Sequence, residues 1–285
     1  MAQNGRMTGQ FRYLVTVSRP RFWLYLGGTA VLGAAWGIDQ PVDLLDPTLL
    51  VVIAYFLLPA NVYLYGVNDI FDASIDRQNP KKQGERETTY RGDQVLPAAV
   101  VGTGVLGVAL LPFVGRAAQI AILGFLVLGA AYSVPPIRFK TTPLLDSVSN
   151  GLYILPGIAT YGMLTGAWPP LLAVIGGWCW AMAMHTFSAI PDIEPDRAAG
   201  IETTATGLGY HRALAYCIGW WTVAAACFGL LHPLIGALFV VYPAFSIGLV
   251  IVNIPIDRAY WWFPWLNGVA GMTLTIAGMW VVLGG

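Results

Sequence analysis

Asn68, Asp72 and Asp76 repeat at intervals of four directly after a long apolar run, Leu49 to Val67, that carries no charge. If a helix continues through them, each step of four turns the side chain by about 40° and climbs about 6 Å, so the three form one narrow stripe. Like-charged carboxylates at that spacing repel by about 0.2–0.5 kcal/mol even on a wet helix. A chain that places them at the end of an apolar helix normally has a cation for them to hold. A second cluster, Ile190-Pro191-Asp192-Ile193-Glu194-Pro195-Asp196-Arg197, repeats the spacing with Asp192 and Asp196. Pro195 cannot donate to the carbonyl of Pro191, so regular helix breaks or restarts there. Carboxylates facing one another across a bundle suit Mg²⁺, a hard ion that keeps several waters and bridges carboxylates to phosphate oxygens. The carboxylate pair of a transporter is the competing chemistry.

Basic residues weigh on that choice. Arg77, Lys81 and Lys82 follow the first stripe, and Arg138 and Lys140 lie in the loop that begins at Tyr132. Some simply mark the inner side of a membrane. Acidic stripes with several cations at one rim are nonetheless what a Mg²⁺-diphosphate needs: carboxylates for the metal, Arg and Lys for the remaining oxygens. The chain has no glycine-rich phosphate loop and no HExxH zinc helix. The aspartate pattern of membrane lipid phosphotransferases, with its DG and AR pairs, is also missing.

The elements that must position these side chains follow from composition. Of 285 residues, 56% are hydrophobic and 11% charged, with a mean hydropathy of +0.64. Soluble domains carry about 25% charged residues, so this chain cannot cover itself with a polar surface and reads as an all-α polytopic membrane protein. Its formal net charge of zero argues against nucleic acid as a partner. Cys179, Cys217 and Cys227 all fall in apolar runs and read as small buried hydrophobes rather than a disulfide or metal set. The start, Met1 to Arg21, carries Arg6, Arg12, Arg19 and Arg21 and no sustained apolar run, unlike a cleavable signal peptide.

Apolar stretches long enough to cross a bilayer can be drawn at 22–38, 48–67, 95–113, 117–134, 147–165, 169–190, 213–231, 234–252 and 262–283, nine in all. With the N-terminus inside, every Lys and Arg except Arg116 falls on the inner side. That asymmetry is the one expected of a correct span count, and it gives an N-in, C-out topology. The chain is expected to form a single domain, 1–285, with a cytoplasmic N-terminal segment 1–20 and cytoplasmic active-site loops at 68–93 and 191–212. Those loops follow the second and sixth spans, which hints at an internal duplication with the helices circling a central cavity. Gly102, Gly104 and Gly107 suit close helix packing in lipid.

Asn68-x-x-x-Asp72-x-x-x-Asp76 with Asp192-x-x-x-Asp196 resembles the two aspartate-rich motifs of the UbiA-type intramembrane prenyltransferase superfamily, and the likeness extends over nearly the whole chain. The resemblance implies that Asn68, Asp72, Asp76, Asp192 and Asp196 coordinate Mg²⁺ bound to an isoprenoid diphosphate. By the same resemblance Arg77, Lys81, Lys82, Arg138 and Lys140 are diphosphate-binding candidates. Asp69 sits on another helix face. A Tyr-x-x-x-Lys motif of some members has no strict match, because Pro136 stands four residues after Tyr132. More narrowly, Tyr65-Gly-Val-Asn-Asp-Ile-Phe-Asp72, Asn79-Pro-Lys-Lys82 and the 190–197 cluster resemble the lycopene elongase branch, which builds C50 carotenoids.

That branch implies transfer of a dimethylallyl unit to lycopene or a related acyclic carotenoid, within the cell membrane and with the active site toward the cytoplasm. It also gives a use to some of the 11 Trp, 13 Tyr and 12 Phe, whose ring faces can stabilise a carbocation, although most read as interface belts and packing. Asp69, Tyr132 and His185 are candidates for the cavity wall, and no residue stands out as a base. A quinone precursor or other lipid-soluble aromatic acceptor is the alternative within the same chemistry. A cation-coupled carrier using the same carboxylates is the alternative of another class.

Overall fold

The computed structural model describes residues 2–73, 90, 92–282 and 284; Asp76, Arg77, Lys81 and Lys82 lie outside the described residues. Among the described residues every regular element is helical. Seven helical stretches are long and apolar enough to cross a membrane: Pro47–Phe71, Val95–Phe113, Arg116–Ser133, Leu171–Ala198, Tyr210–Leu231, Pro233–Val252 and Ile256–Val282. The expected spans at 22–38 and 147–165 are occupied by shorter pieces, a helix Trp23–Gly37 and a 3₁₀ turn Ser149–Ile154 leading into a helix Leu155–Thr165.

In chain order the α-helices are α1 (Ala2–Val17), α2 (Trp23–Gly37), α3 (Pro47–Leu57), α4 (Pro59–Phe71), α5 (Val95–Ala109), α6 (Arg116–Ser133), α7 (Leu145–Val148), α8 (Leu155–Thr165), α9 (Leu171–Ala189), α10 (Ile193–Ala198), α11 (Thr204–Leu208), α12 (Tyr210–Leu231), α13 (Pro233–Val252), α14 (Ile256–Ala259) and α15 (Phe263–Val282). The apolar run before the first motif is divided at Leu58, because Pro59 has no N–H to continue the ladder. Asn61, fully buried, repairs the break: its Nδ2 donates to the carbonyls of Phe56 and Leu57 at 3.1 and 2.9 Å. Two carbonyls of the interrupted ladder and the amide's own N–H donors are thereby paired.

Two packed groups make up the wall. In the first, α2 lies against α8, α8 against α6, and α4 against α5; in the second, α9 packs on α12 and α12 on α13. Ring closure comes from α15, the last helix, packing on α2. Asn267 of α15 secures it, donating to Tyr25 of α2 at 3.0 Å and accepting from Tyr242 of α13 at 2.9 Å. The first group's core is aliphatic around Tyr55, Phe56 and Phe125. The second is built on Trp221, Phe187, Tyr242 and Phe263, with the rings of Trp221 and Phe263 stacked 5.6 Å apart.

Lipid gives helices no hydrophobic reason to associate, so close approach through small residues matters. At Gly33 of α2 a β-carbon would sit 2.0 Å from the carbonyl oxygen of Gly157 on α8, so this crossing admits no side chain. Of the three glycines expected to serve such packing in α5, Gly107 does so, against the Tyr55 ring, whereas Gly102 meets nothing within 4 Å. Apolar side chains such as Val101, Val105, Leu230, Ile251 and Trp265 are exposed on the outer surface. That outer face is what a lipid-facing bundle presents. The three cysteines are buried and free.

Candidate active site

Both acidic clusters lie at helix ends, and in neither does one straight helix run through. α4 ends at Phe71; Asp72 is its C-cap, with φ −99° and ψ 2°. At the second cluster a 3₁₀ turn, Ile190–Asp192, separates α9 from α10, with a proline in the first turn of each piece. The restart at Pro191 and Pro195 is therefore as the sequence requires. It sets Asp192 and Asp196 on a bent segment instead of a straight stripe.

A cavity of about 1030 Å³ opens between the two groups of helices. Asn68 from the end of α4 and Asp192 from the end of α9 both line it. A smaller hollow of about 190 Å³ is lined by Asp72, Arg138, Lys140 and Asp196. Tyr132 and His185 border both spaces, which makes them one site with two chambers. Asn68, Asp72, Asp192, Asp196, Arg138, Lys140, Tyr132 and His185 are thus brought together from segments up to 128 positions apart (Asn68 to Asp196).

Among the described residues of the first cluster, Asp69 and Asp72 each have a cation from another segment. Asp72 accepts from Arg138 at 2.9 Å and from Lys140, with the Asp72 side chain 13% exposed. Asp69, 2% exposed, accepts from Arg19 at 3.0 Å. It faces away from Asn68's position, as its place on the helix dictates, and is absorbed in that ion pair. Arg19 and Arg138 share a feature: both have left-handed backbones, φ 51° and 38°. A non-glycine residue there is strained by about 1–3 kcal/mol, and such strain concentrates at functional sites. The Arg19 guanidinium also lies over the Tyr65 ring, 4.6 Å from its centre.

Along the chain no motif marks Arg19, Arg21, Asp146 or Asp257 as site residues. Arg19, Arg21 and Asp257 line the large cavity, but along the chain they look like ordinary charges beside membrane spans. Asp146 is fully buried in α7. It accepts from the Thr204 backbone N–H at 3.0 Å and from the Thr204 hydroxyl, and its Oδ2 is 3.8 Å from Nε2 of His185. A lone aspartate at the head of an apolar stretch was the available signal, since such a group must find partners when buried. The neighbouring Ser147 accepts from Thr186 of α9 at 2.9 Å and from Tyr216 of α12 at 3.1 Å, which fixes this turn under the cavity.

Among the described residues no three His, Cys, Asp or Glu side chains are close enough to enclose a metal by themselves. The donors that face the cavity are nevertheless hard oxygens. Asn68 gives its Nδ2 to Ser133 at 3.3 Å, so its carbonyl oxygen is the atom left to offer a cation; Asp192 offers carboxylate. Few protein oxygens on two opposed walls suit Mg²⁺, which completes its octahedron with water and phosphate.

The model of the UbiA prenyltransferase family matches residues 26–267. The chain is 52% identical over 276 residues to a lycopene elongase/hydratase of Halobacterium salinarum, covering 96% of this chain and 100% of that one. It is 51% identical over 273 residues to a lycopene elongase/hydratase of Haloarcula japonica, covering 96% and 93%. Its fold matches a UbiA homolog from Archaeoglobus fulgidus bound to DMAPP and Mg²⁺ with a TM-score of 0.72 at 18% identity, over 94% of this chain and 99% of that one.

Proposed function

The chain belongs to the UbiA prenyltransferase family and is an integral-membrane prenyltransferase, and from that premise we propose that it moves a dimethylallyl group from dimethylallyl diphosphate to an end of lycopene or a related acyclic carotenoid. The observation that carries the reading is the shared cavity: Asn68 and Asp192, from separate acidic helix ends, face one space with eight Phe, Tyr and Trp residues among its other lining side chains. The names of relatives at about half identity support the carotenoid acceptor.

On this reading Asn68, Asp72, Asp76, Asp192 and Asp196 hold Mg²⁺, while Arg138 and Lys140, with Arg77, Lys81 and Lys82, hold diphosphate oxygens. When bound, Mg²⁺ supplies Lewis-acid neutralisation of charge on the leaving diphosphate. Arg138 and Lys140, already fixed on Asp72, give preorganised positive charge where the carbon–oxygen bond breaks. Tyr25, Tyr65, Tyr153 and Trp180 line the cavity and present ring faces to the allylic cation while keeping water out. Nine spans, N-in and C-out, set this rim on the cytoplasmic side of the cell membrane, as the distribution of Lys and Arg supports.

The test is a mass spectrum of pigments from lycopene-producing cells with and without the chain, joined to diphosphate release by isolated membranes. Mg²⁺-dependent carotenoids heavier by prenyl units are expected, lost on chelation and restored by Mg²⁺. Unchanged lycopene beside a prenylated quinone would move the acceptor to the aromatic class. Solute uptake into vesicles with no diphosphate released would sink the reading in favour of a carrier.

A further inference from the structure

After the new carbon–carbon bond forms, a tertiary cation is left on the acceptor, and something must take a proton. Metal-binding carboxylates at the rim are poor candidates, since their charge is already engaged. Along the cavity wall the choice is narrow: among the described lining residues, His185 is the one imidazole. It lies in α9, seven positions before Asp192, and borders both chambers. A donor with its diphosphate in the small chamber and its hydrocarbon end in the large one would pass beside it. Nε2 of His185 is 3.5 Å from the Tyr132 hydroxyl and 3.8 Å from the Asp146 carboxylate. Asp146 cannot turn away, because both its oxygens are fixed by Thr204.

We propose that His185 is the proton acceptor that ends the reaction, and that Asp146 is the positioning residue that orients it and stabilises the imidazolium. The inference rests on the prenyl transfer proposed above. The carbon–oxygen pair leaves with diphosphate, and the acceptor's terminal π pair forms the new carbon–carbon bond. The C–H pair beside the resulting cation then becomes a double bond as its proton passes to His185. Where water adds instead, an oxygen lone pair forms the carbon–oxygen bond and His185 takes that water's proton. The imidazolium returns the proton to solvent at the rim once product leaves.

The test reads two quantities from membranes carrying the full chain with Mg²⁺, dimethylallyl diphosphate and lycopene: diphosphate released, and prenylated carotenoid formed per diphosphate. In His185→Gln the tertiary cation that is not deprotonated reverts to the allylic cation, which water captures, so carotenoid per diphosphate should fall on the order of 10²-fold, the scale of a lost general base, with dimethylallyl alcohol formed in its place. Asp146→Asn should lower the same ratio by a smaller factor. A purely structural role would lower both quantities together, and that result overturns the proposal, as does an unchanged ratio. If His185→Gln does not insert, His185→Asn gives the same readout. A parent chain that releases diphosphate with no carotenoid product refutes the acceptor reading and this proposal with it. A parent that makes the product beside an unaltered His185→Gln ratio refutes this proposal alone.

Discussion

The two acidic helix ends have the same spacing of four and face the same hollow, yet the fold treats them differently. At the end of α4, Asp69 and Asp72 are locked onto Arg19, Arg138 and Lys140, drawn from segments 50 to 68 positions away. At the end of α9, Asp192 and Asp196 line the large and small chambers respectively, on a backbone that passes through a 3₁₀ turn at Pro191 into a new short helix. The first end is a charge-compensated cluster assembled by the fold. Both ends line the cavity, Asn68 and Asp72 at the first and Asp192 and Asp196 at the second. Equal spacings thus sit in different surroundings according to what the tertiary structure sets opposite them; on the function proposed above both ends offer oxygen to Mg²⁺, and the first also orients Arg138 and Lys140 toward the diphosphate.

Substitutions can break that contrast. Asp192→Asn should have the largest catalytic effect, lowering turnover on the order of 10²–10³-fold. Turnover close to the parent's would remove Asp192 from the metal site. Asp72→Asn should also nearly abolish turnover, but here thermal melting should drop as well, because Arg138 and Lys140 lose their shared anion; a charged hydrogen bond is worth about 1.5–3 kcal/mol. An unchanged melting curve for Asp72→Asn would show that the contacts to Arg138 and Lys140 do not hold this end in place.

Arg138→Ala should raise KM for the diphosphate donor by about 10-fold or more, the equivalent of one charge-assisted contact, and a change confined to kcat would argue against diphosphate contact. Asp69→Asn should act more on stability than on turnover, since Asp69 is buried against Arg19 and outside the chambers. Arg116→Ala is the control. It is exposed at the far end of α6, and stability should stay within about 0.5 kcal/mol of the parent.

Much of this was written along the chain. Apolar stretches separated by charged loops dictate membrane helices, because backbone groups in lipid can be satisfied only within a helix or a closed barrel. Asn68, Asp72, Asp192 and Asp196 were legible because polar groups at apolar helix ends have few structural uses. Pro195 forecasts a break in the second acidic segment, since a missing N–H acts locally, whereas the span expected at 48–67 runs unbroken across Pro59, where the structure divides it. Pairing was not legible. Arg19 reads as a routine inner-side charge until the fold sets it on Asp69, and Arg138 looks free to bind phosphate until it is found on Asp72.

His185 and Asp146 show the boundary most clearly. Each looks like an isolated polar residue beside an apolar segment, and nothing in the 38 residues between them sets their distance. The sequence by itself determined which segments enter the membrane and which side chains could bear charge there, because hydropathy and helix periodicity depend on near neighbours. Only the tertiary structure decided which acid meets which cation and which imidazole faces the cavity. Those choices follow from how α2, α4, α6 and α9 close around one space, and packing is a property of the whole chain.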